Sequence, residues 1–138
     1  MRAKLEGDMS GIRSMPVLGV RDVAASVKHY QDVLGFAVGG IWGEDGAPPA
    51  FAIVGFGDIT IALDHDAEAK PRGHGWAAYL YVADVDALHQ TLSANGAAIV
   101  RKPEDAFYGC RDMDVRDLDG HLLAFGQDLQ PGPRGPGL

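Results

Sequence analysis

The chain has 138 residues, of which 46% are hydrophobic, and a formal net charge of −7. This length allows one domain with a hydrophobic core but not two full domains, and the negative charge disfavours nucleic acid and anionic membrane surfaces as partners. No stretch approaches the roughly 20 apolar residues of a membrane-spanning helix. The charged N-terminus predicts no signal peptide, and a single cysteine, Cys110, fits a reducing cytoplasm.

The first predicted unit covers residues 15–64 and follows an N-terminal extension, residues 1–14. A short apolar strand precedes Asp22, which stands at a helix N-cap position, and apolar residues then recur at helical spacing until Gly35 provides the stop. The segment FAVGGIWG is predicted to form the second strand. A hairpin over residues 51–63 turns near Gly57. The order of elements is therefore β-α-β-β-β.

The second unit, residues 76–128, repeats the first after a linker over residues 65–75. Three positions recur 62 residues later: Val20 as Val82, Asp22 as Asp84, and Val23 as Val85. The second unit ends in a hairpin that turns at Asp119-Gly120. The Pro- and Gly-rich tail, residues 129–138, is predicted to be disordered. Two sequential copies of one unit indicate a duplication that builds two curved sheets side by side.

Two segments, VLGVRDVAASVKHYQDVLGF and VRDLDGHLLAFGQ, resemble the vicinal oxygen chelate superfamily. This superfamily includes glyoxalase I, extradiol dioxygenases, fosfomycin-resistance enzymes and bleomycin-resistance proteins. The resemblance covers about residues 15–127. It implies an α+β fold in which two tandem βαβββ modules form a curved, half-open barrel-like sheet around a cleft, often across a homodimer.

Metal-dependent members of that superfamily carry a ligand on the first and last strand of each module. The resemblance places these ligand positions at Met15, Ala62, Ala77 and Ala124. Alanine offers no lone pair, and a methionine thioether is a poor ligand for hard or borderline cations. We therefore expect neither a metal nor another cofactor, and the closest resemblance is to the metal-free, bleomycin-resistance-like members.

Strand alternation assigns further side chains to the cleft. If the four positions face the cleft, apolar residues such as Leu63, Leu123 and Phe125 fall on the opposite face, towards the helices. The first-half positions that correspond to the cleft-facing acids are then Ala50, Ala52 and Val54. The candidate ligand-binding residues are Trp42, Thr60, Asp64, Tyr79, Tyr81, Tyr108, Asp112 and Asp114.

A cleft with aromatic rings and acids suits a flat, aromatic or cationic ligand. The favoured hypothesis is a metal-free small-molecule-binding protein, a homodimer that sequesters a compound such as an antibiotic and has no catalytic residue. The alternatives are a metal-dependent lyase, isomerase or dioxygenase with a non-standard site, for example at His65 or His74, and a structural dimer without a ligand. Packing for Trp42 and solvation for Asp112 and Asp114 are open alternatives.

Overall fold

The computed structural model describes residues 7–130. The outer parts of the predicted extension and tail, residues 1–6 and 131–138, lie outside this range. The first half contains β1 (Val17–Val20), α1 (Val23–Asp32), β2 (Ala37–Trp42), β3 (Phe51–Phe56) and β4 (Ile59–His65). The second half contains β5 (Ala78–Tyr81), α2 (Val85–Ala94), β6 (Ala98–Asp105), β7 (Cys110–Arg116) and β8 (Leu122–Asp128). The predicted repeat of βαβββ modules is confirmed.

Each module forms a four-stranded mixed sheet. The strand orders are β1-β4-β3-β2 and β5-β8-β7-β6. In each sheet the first and last strands of the module are parallel, and the remaining pairs are antiparallel. The two sheets do not close into a barrel, in agreement with the half-open arrangement that the resemblance implies.

Both helices begin at the aspartate caps that the sequence predicts. The side chains of Asp22 and Asp84 accept hydrogen bonds at 3.0 Å from the backbone N–H groups of Ala25 and Ala87. Each bond satisfies a donor that has no partner within its own helix. Both helices are ten residues long, and within residues 7–130 neither has the length or apolarity to cross a membrane.

One hydrophobic core lies on the helix-facing side of both sheets. The residues predicted to face the helices are buried or packed against this core: Leu18, Val20, Ile59, Ile61, Leu63, Leu80, Val82, Leu123 and Phe125. Tyr30 on α1 and Leu92 on α2 are also fully buried. Because the core is continuous across the modules, it fixes the position of the two sheets relative to each other.

The predicted correspondence of the two halves is wrong by one residue in the third strand of each module. Asp114 pairs with Ala124, and Ile53 pairs with Ala62, so Ile53 is the first-half counterpart of Asp114. Ala52 and Val54 point into the core and are fully buried. The first sheet therefore presents an apolar side chain where the second presents a carboxylate.

The turn between β7 and β8 explains this shift. The backbone N–H of Gly120 donates to the carbonyl of Asp117 at 3.1 Å, so Leu118 and Asp119 are the central turn residues, instead of the predicted Asp119-Gly120. Gly120 follows with φ +87°, a left-handed conformation that glycine adopts without strain. The loop inside the Asp117–His121 backbone pair, residues 118–120, is one residue longer than the loop at residues 57–58 between β3 and β4, which changes the offset between the halves.

Polar contacts from the same turn join the two modules. The buried Tyr30 hydroxyl donates to the Asp117 carboxylate at 2.7 Å. The Asp119 carboxylate accepts from the backbone N–H of Arg21 at 2.9 Å and from its guanidinium at 3.0 Å. A ring nitrogen of His121 lies 2.7 Å from the carbonyl oxygen of Gly19. The second module therefore forms hydrogen bonds with β1, α1 and the residues between them, through both backbone and side-chain groups.

Candidate functional site

An open pocket of about 650 Å³ lies between residues 13–16, the β3–β4 turn and β5. Three of the predicted ligand-binding residues, Thr60, Tyr79 and Tyr81, line it. Met15 and Ala77, two of the positions that the superfamily uses for metal ligands, line the same pocket. The structure therefore brings Thr60 of the first module together with Tyr79 and Tyr81 of the second.

The acids and tyrosines of the second module share one face of its sheet, because paired residues on neighbouring strands point the same way. One row across the sheet contains Tyr79, Ala124, Asp114 and Arg101, and the next contains Tyr81, Gly126, Asp112 and Glu104. This face continues from the pocket wall formed by β5. We call the side chains of Trp76, Tyr79, Arg101, Tyr108, Asp112 and Asp114 the second-sheet cluster.

Asp112 is fully buried, and three side chains donate to its carboxylate. The Tyr79 hydroxyl donates to Oδ2 at 2.9 Å, the Tyr108 hydroxyl donates to the same oxygen, and Arg101 donates to Oδ1. Burial acts to raise the pKa of Asp112, but the hydrogen bonds from Tyr108, Arg101 and Tyr79 outweigh it and hold the pKa below its usual 3.8. Asp112 is therefore an ionised acceptor that orients two tyrosines.

Asp114 is also bound from two sides. The indole Nε1–H of Trp76 donates to Oδ1 at 2.9 Å, and the Nε–H of Arg101 donates to Oδ2 at 3.1 Å. Asp112 and Asp114 are thus members of a hydrogen-bonded network, and simple solvation on an edge strand does not describe either of them. Trp76 is held against the sheet by this bond, one residue before the strand region that lines the pocket.

Arg101 is a site residue that the sequence does not single out. It lies on β6, directly opposite Asp114 in the ladder. The pairing of β6 with β7 shifts register on both sides of Arg101, so strand alternation cannot assign the side chain to a face. The hydrogen bonds that Arg101 donates to Asp114 and Asp112 raise the pKa of Arg101 further above its usual value, although partial burial opposes the shift.

Tyr79 is the centre of an aromatic group. Its ring centroid lies 5.0 Å from that of Trp76, 5.1 Å from that of Tyr81 and 6.4 Å from that of Tyr108, in edge-on or tilted arrangements. Such geometries are favourable for aromatic pairs. Burial, and then the neighbouring Cys110 side chain and the hydrogen bond to Asp112, raise the pKa of Tyr79. Burial and the hydrogen bond to Asp112 raise the pKa of Tyr108 to about 12. Both phenols are therefore protonated at neutral pH.

Trp42 and Asp64 lie on the corresponding face of the first sheet, outside the lining of the pocket. They share a row with Phe51, and the rings of Trp42 and Phe51 are 5.9 Å apart. Trp42 is half exposed and folds back over Gly40, where a side chain would collide with the indole. The first sheet thus contributes an apolar and aromatic face, and Asp64 is exposed at its end.

Comparison with known proteins identifies the family. Residues 14–125 match the family model of the Glyoxalase/Bleomycin resistance protein/Dioxygenase superfamily. The chain belongs to this superfamily. A search of curated proteins finds no match.

Several solved structures resemble this chain over most of its length. TioX from Micromonospora sp. ML1 is 27% identical, covers 86% of this chain and 100% of its own, and has a TM-score of 0.71. The bleomycin-binding protein from bleomycin-producing Streptomyces verticillus, solved with copper(II)-bleomycin, is 25% identical over 86% of this chain and 97% of its own, with a TM-score of 0.63. A glyoxalase-related enzyme from Clostridium phytofermentans shares the fold at 19% identity, covering 89% and 99%, with a TM-score of 0.75.

The side chains at the metal positions of the superfamily's enzymes do not fit a metal in this chain. Ala62 and Ala124 are fully buried on the last strand of each module, and Ala77 lines the pocket with Met15. None of the four offers a nitrogen or oxygen donor. Across residues 7–130, no three His, Cys, Asp or Glu side chains are grouped in a way that could hold a metal ion.

Proposed function

We propose that the protein binds a flat aromatic small molecule in the pocket between its modules, without a metal, and sequesters it. The observation that carries this proposal is the aromatic group centred on Tyr79, which stands at the wall of a 650 Å³ pocket. Rings held edge-on by neighbours leave faces and edges for stacking with a planar ligand. Cationic compounds are the other ligand class that aromatic rings and nearby acids accept.

The superfamily relatives support a binding role. The Streptomyces verticillus protein binds copper(II)-bleomycin and shares 25% of its residues with this chain. An antibiotic is therefore a sensible first ligand class for a screen. The pocket is open, which favours binding of a large planar molecule over enclosure of a small reactive one.

We also propose that the protein works as a homodimer, in which a second copy covers the open side of the cleft. Val17 and Tyr81 each retain 57% of their surface exposed, and Trp42 retains 53%. These side chains belong to the cleft faces of the two sheets, and a second copy seated over those faces would bury them. Light scattering coupled to size exclusion would give the mass in solution, and a monomer would contradict this part of the proposal.

A thermal-shift screen in buffer that contains EDTA tests the binding function. The panel contains planar aromatic antibiotics, cationic aromatic antibiotics and non-aromatic cationic antibiotics. A ligand present at about 100 times its Kd adds about 2.7 kcal/mol to the stability of the folded state, so the midpoint of unfolding rises by several degrees in a concentration-dependent way. We expect hits among planar aromatic compounds.

Two variants make this screen specific for the pocket. Tyr79→Leu removes the central ring and should abolish the shift. Phe56→Leu removes a ring that packs against Phe36 on the helix side, with centroids 5.3 Å apart, and should preserve it. Absence of any saturable hit would refute the binding function, whereas about one equivalent of a tightly held metal in the purified protein would favour the lyase, isomerase or dioxygenase alternative.

A further inference from the structure

The carboxylates of the second-sheet cluster have little capacity left for a ligand. A carboxylate offers about four lone-pair positions. Asp112 accepts from Tyr79, Tyr108 and Arg101 and is fully buried. Asp114 accepts one bond from Trp76 and two from Arg101, and only 13% of its side chain is exposed. A cation that approached Asp112 or Asp114 would therefore meet carboxylate oxygens that the protein already binds.

Arg101 is fully engaged as well. A guanidinium has five N–H donors, and in Arg101 all five donate. Nε donates to Asp114, one Nη donates to Glu104 and to the backbone carbonyl of Asp112, and the other Nη donates to both Asp112 and Asp114. The planar fork donates to two carboxylates and to two further acceptors at once, whereas a lysine ammonium has only three donors and no planar fork. The guanidinium and the two carboxylates of the cluster therefore bind one another and are not presented to the pocket.

We propose that Arg101 sets the charge selectivity of the cleft by masking Asp112 and Asp114, so that the site selects ligands by aromatic surface and not by positive charge. This inference rests on the proposed function, since it concerns the same cleft. Arg101 is a positioning residue, because it acts through the two acids and lies on the far strand of the sheet from the pocket. Without Arg101, Asp112, Asp114 and Glu104 bring three negative charges to one face with no internal cation.

Two probes that share the fused three-ring system of acridine separate the effect of charge from that of aromatic surface. Proflavine is a flat cation at neutral pH, and acridone is a neutral flat molecule. Titration of wild type and Arg101→Gln with each probe, followed by fluorescence, gives a ratio of the two affinities. We expect Arg101→Gln to raise the proflavine-to-acridone affinity ratio by about tenfold or more, because one or two ionised acceptors become available to the cation.

Arg111 supplies the matched control. It lies on β7 next to Asp112, and its guanidinium also binds two acids, Asp86 and Asp105, but outside the second-sheet cluster. The exposed fractions of the two side chains are similar, at 32% for Arg111 and 27% for Arg101. Arg111→Gln removes the same charge from the protein and should leave the affinity ratio within about twofold of wild type. An equal rise in both variants would overturn the assignment to Arg101.

If neither probe binds, that result counts against the proposed function alone. A second measurement then tests whether Arg101 masks Asp112. Carbon-detected NMR follows the titration of the Asp112 carboxyl. In wild type it should ionise below its usual pKa of 3.8, and in Arg101→Gln at a higher pH, since a donor is lost and the neighbouring negative charge remains. Identical titration in both proteins would contradict the masking. Arg101→Lys, which keeps the charge and loses the fork, should show a smaller shift and covers the case in which the glutamine variant does not fold.

Discussion

Tyr79 reaches Asp112 because residue 126 is a glycine. Gly126 lies opposite Asp112 on β8, and the Tyr79 ring crosses above it to donate to that carboxylate at 2.9 Å. A Cβ at residue 126 would overlap the Tyr79 hydroxyl oxygen. The sequence contains this glycine in AFGQ, but only the pairing of β8 with both β5 and β7 shows what the missing side chain makes room for.

We predict that Gly126→Ala displaces the Tyr79 ring and costs about 1–3 kcal/mol of unfolding free energy, the usual penalty for overpacking. Displacement breaks the hydrogen bond to Asp112, so the pKa of the Tyr79 phenol should fall. Urea unfolding gives the stability, and ultraviolet titration of the tyrosines gives the pKa. Gly55→Ala is the control, since it lies on the cleft face of the first sheet and its Cβ would only touch a carbonyl oxygen at 3.4 Å. Equal effects of both substitutions would contradict the claim that Gly126 makes room for the Tyr79 ring.

Other residues of the site show how far the sequence predicts it. Tyr79 and Thr60 could be assigned to the cleft from the family resemblance and strand alternation together, because their strands are regular. Arg101 could not, because the register of β6 slips on both sides of it. Ile53 could not be predicted as the counterpart of Asp114, because the longer β7–β8 turn changes the spacing between the halves. Irregular pairing, a tertiary property, therefore sets the limit of prediction here.

At the scale of elements, the two helices are the part of the fold that local sequence determines best. Each has an aspartate cap before it and a glycine with positive φ after it, at Gly35 and Gly96. These signals act within one turn of helix and need no tertiary contact. The second helix has an additional acceptor, the side-chain oxygen of Gln127, which binds the backbone N–H of Val85 at 3.0 Å.

We predict that Asp22→Ala and Asp84→Ala each reduce the unfolding free energy by about 1 kcal/mol. Asp22→Asn and Asp84→Asn should have little effect, because asparagine caps a helix equally well. Gln127→Ala should weaken only the start of α2. Chemical denaturation measures the stabilities, and hydrogen exchange at Ala25 and Ala87 locates the loss. An asparagine variant as unstable as its alanine counterpart would show that the aspartates act by another route.

At the scale of the whole molecule, the duplicated modules meet through unlike contacts. Tyr30 on α1 donates to Asp117, whereas the matching position of α2 is the apolar Leu92. Two buried atoms near this polar contact have no hydrogen-bond partner within residues 7–130. They are a ring nitrogen of His29 and one carboxylate oxygen of Asp119. Polar groups held at a module junction make its stability depend on pH.

We predict that acidification weakens this junction through His29. Burial lowers the pKa of His29 below its usual 6.5, although the nearby Asp117 and Asp119 oppose the shift. The unfolded chain therefore binds the proton more readily, and the His29 contribution to stability, present above pH 6.5, is lost as the pH falls through the lowered pKa. Burial raises the pKa of Asp117, which acts in the opposite direction as the pH falls.

The variant His29→Gln isolates this effect. Its unfolding free energy should decline less steeply than that of wild type between about pH 7 and pH 5. His65→Gln replaces an exposed histidine at the end of β4 and serves as the control. Denaturation series at several pH values provide the slopes, and a wild-type slope in His29→Gln would assign the pH dependence to other groups.

The central claim is that the cleft binds an aromatic molecule through the Tyr79 group and without a metal. The most direct test is a proflavine titration of the protein as purified and again after exhaustive treatment with EDTA, with metal content measured on both samples. We predict saturable binding of proflavine, with a Kd that is the same in both samples within about twofold, because no ligand contact in the pocket depends on a metal ion. Binding that disappears with the metal and returns when the metal is restored would contradict the account.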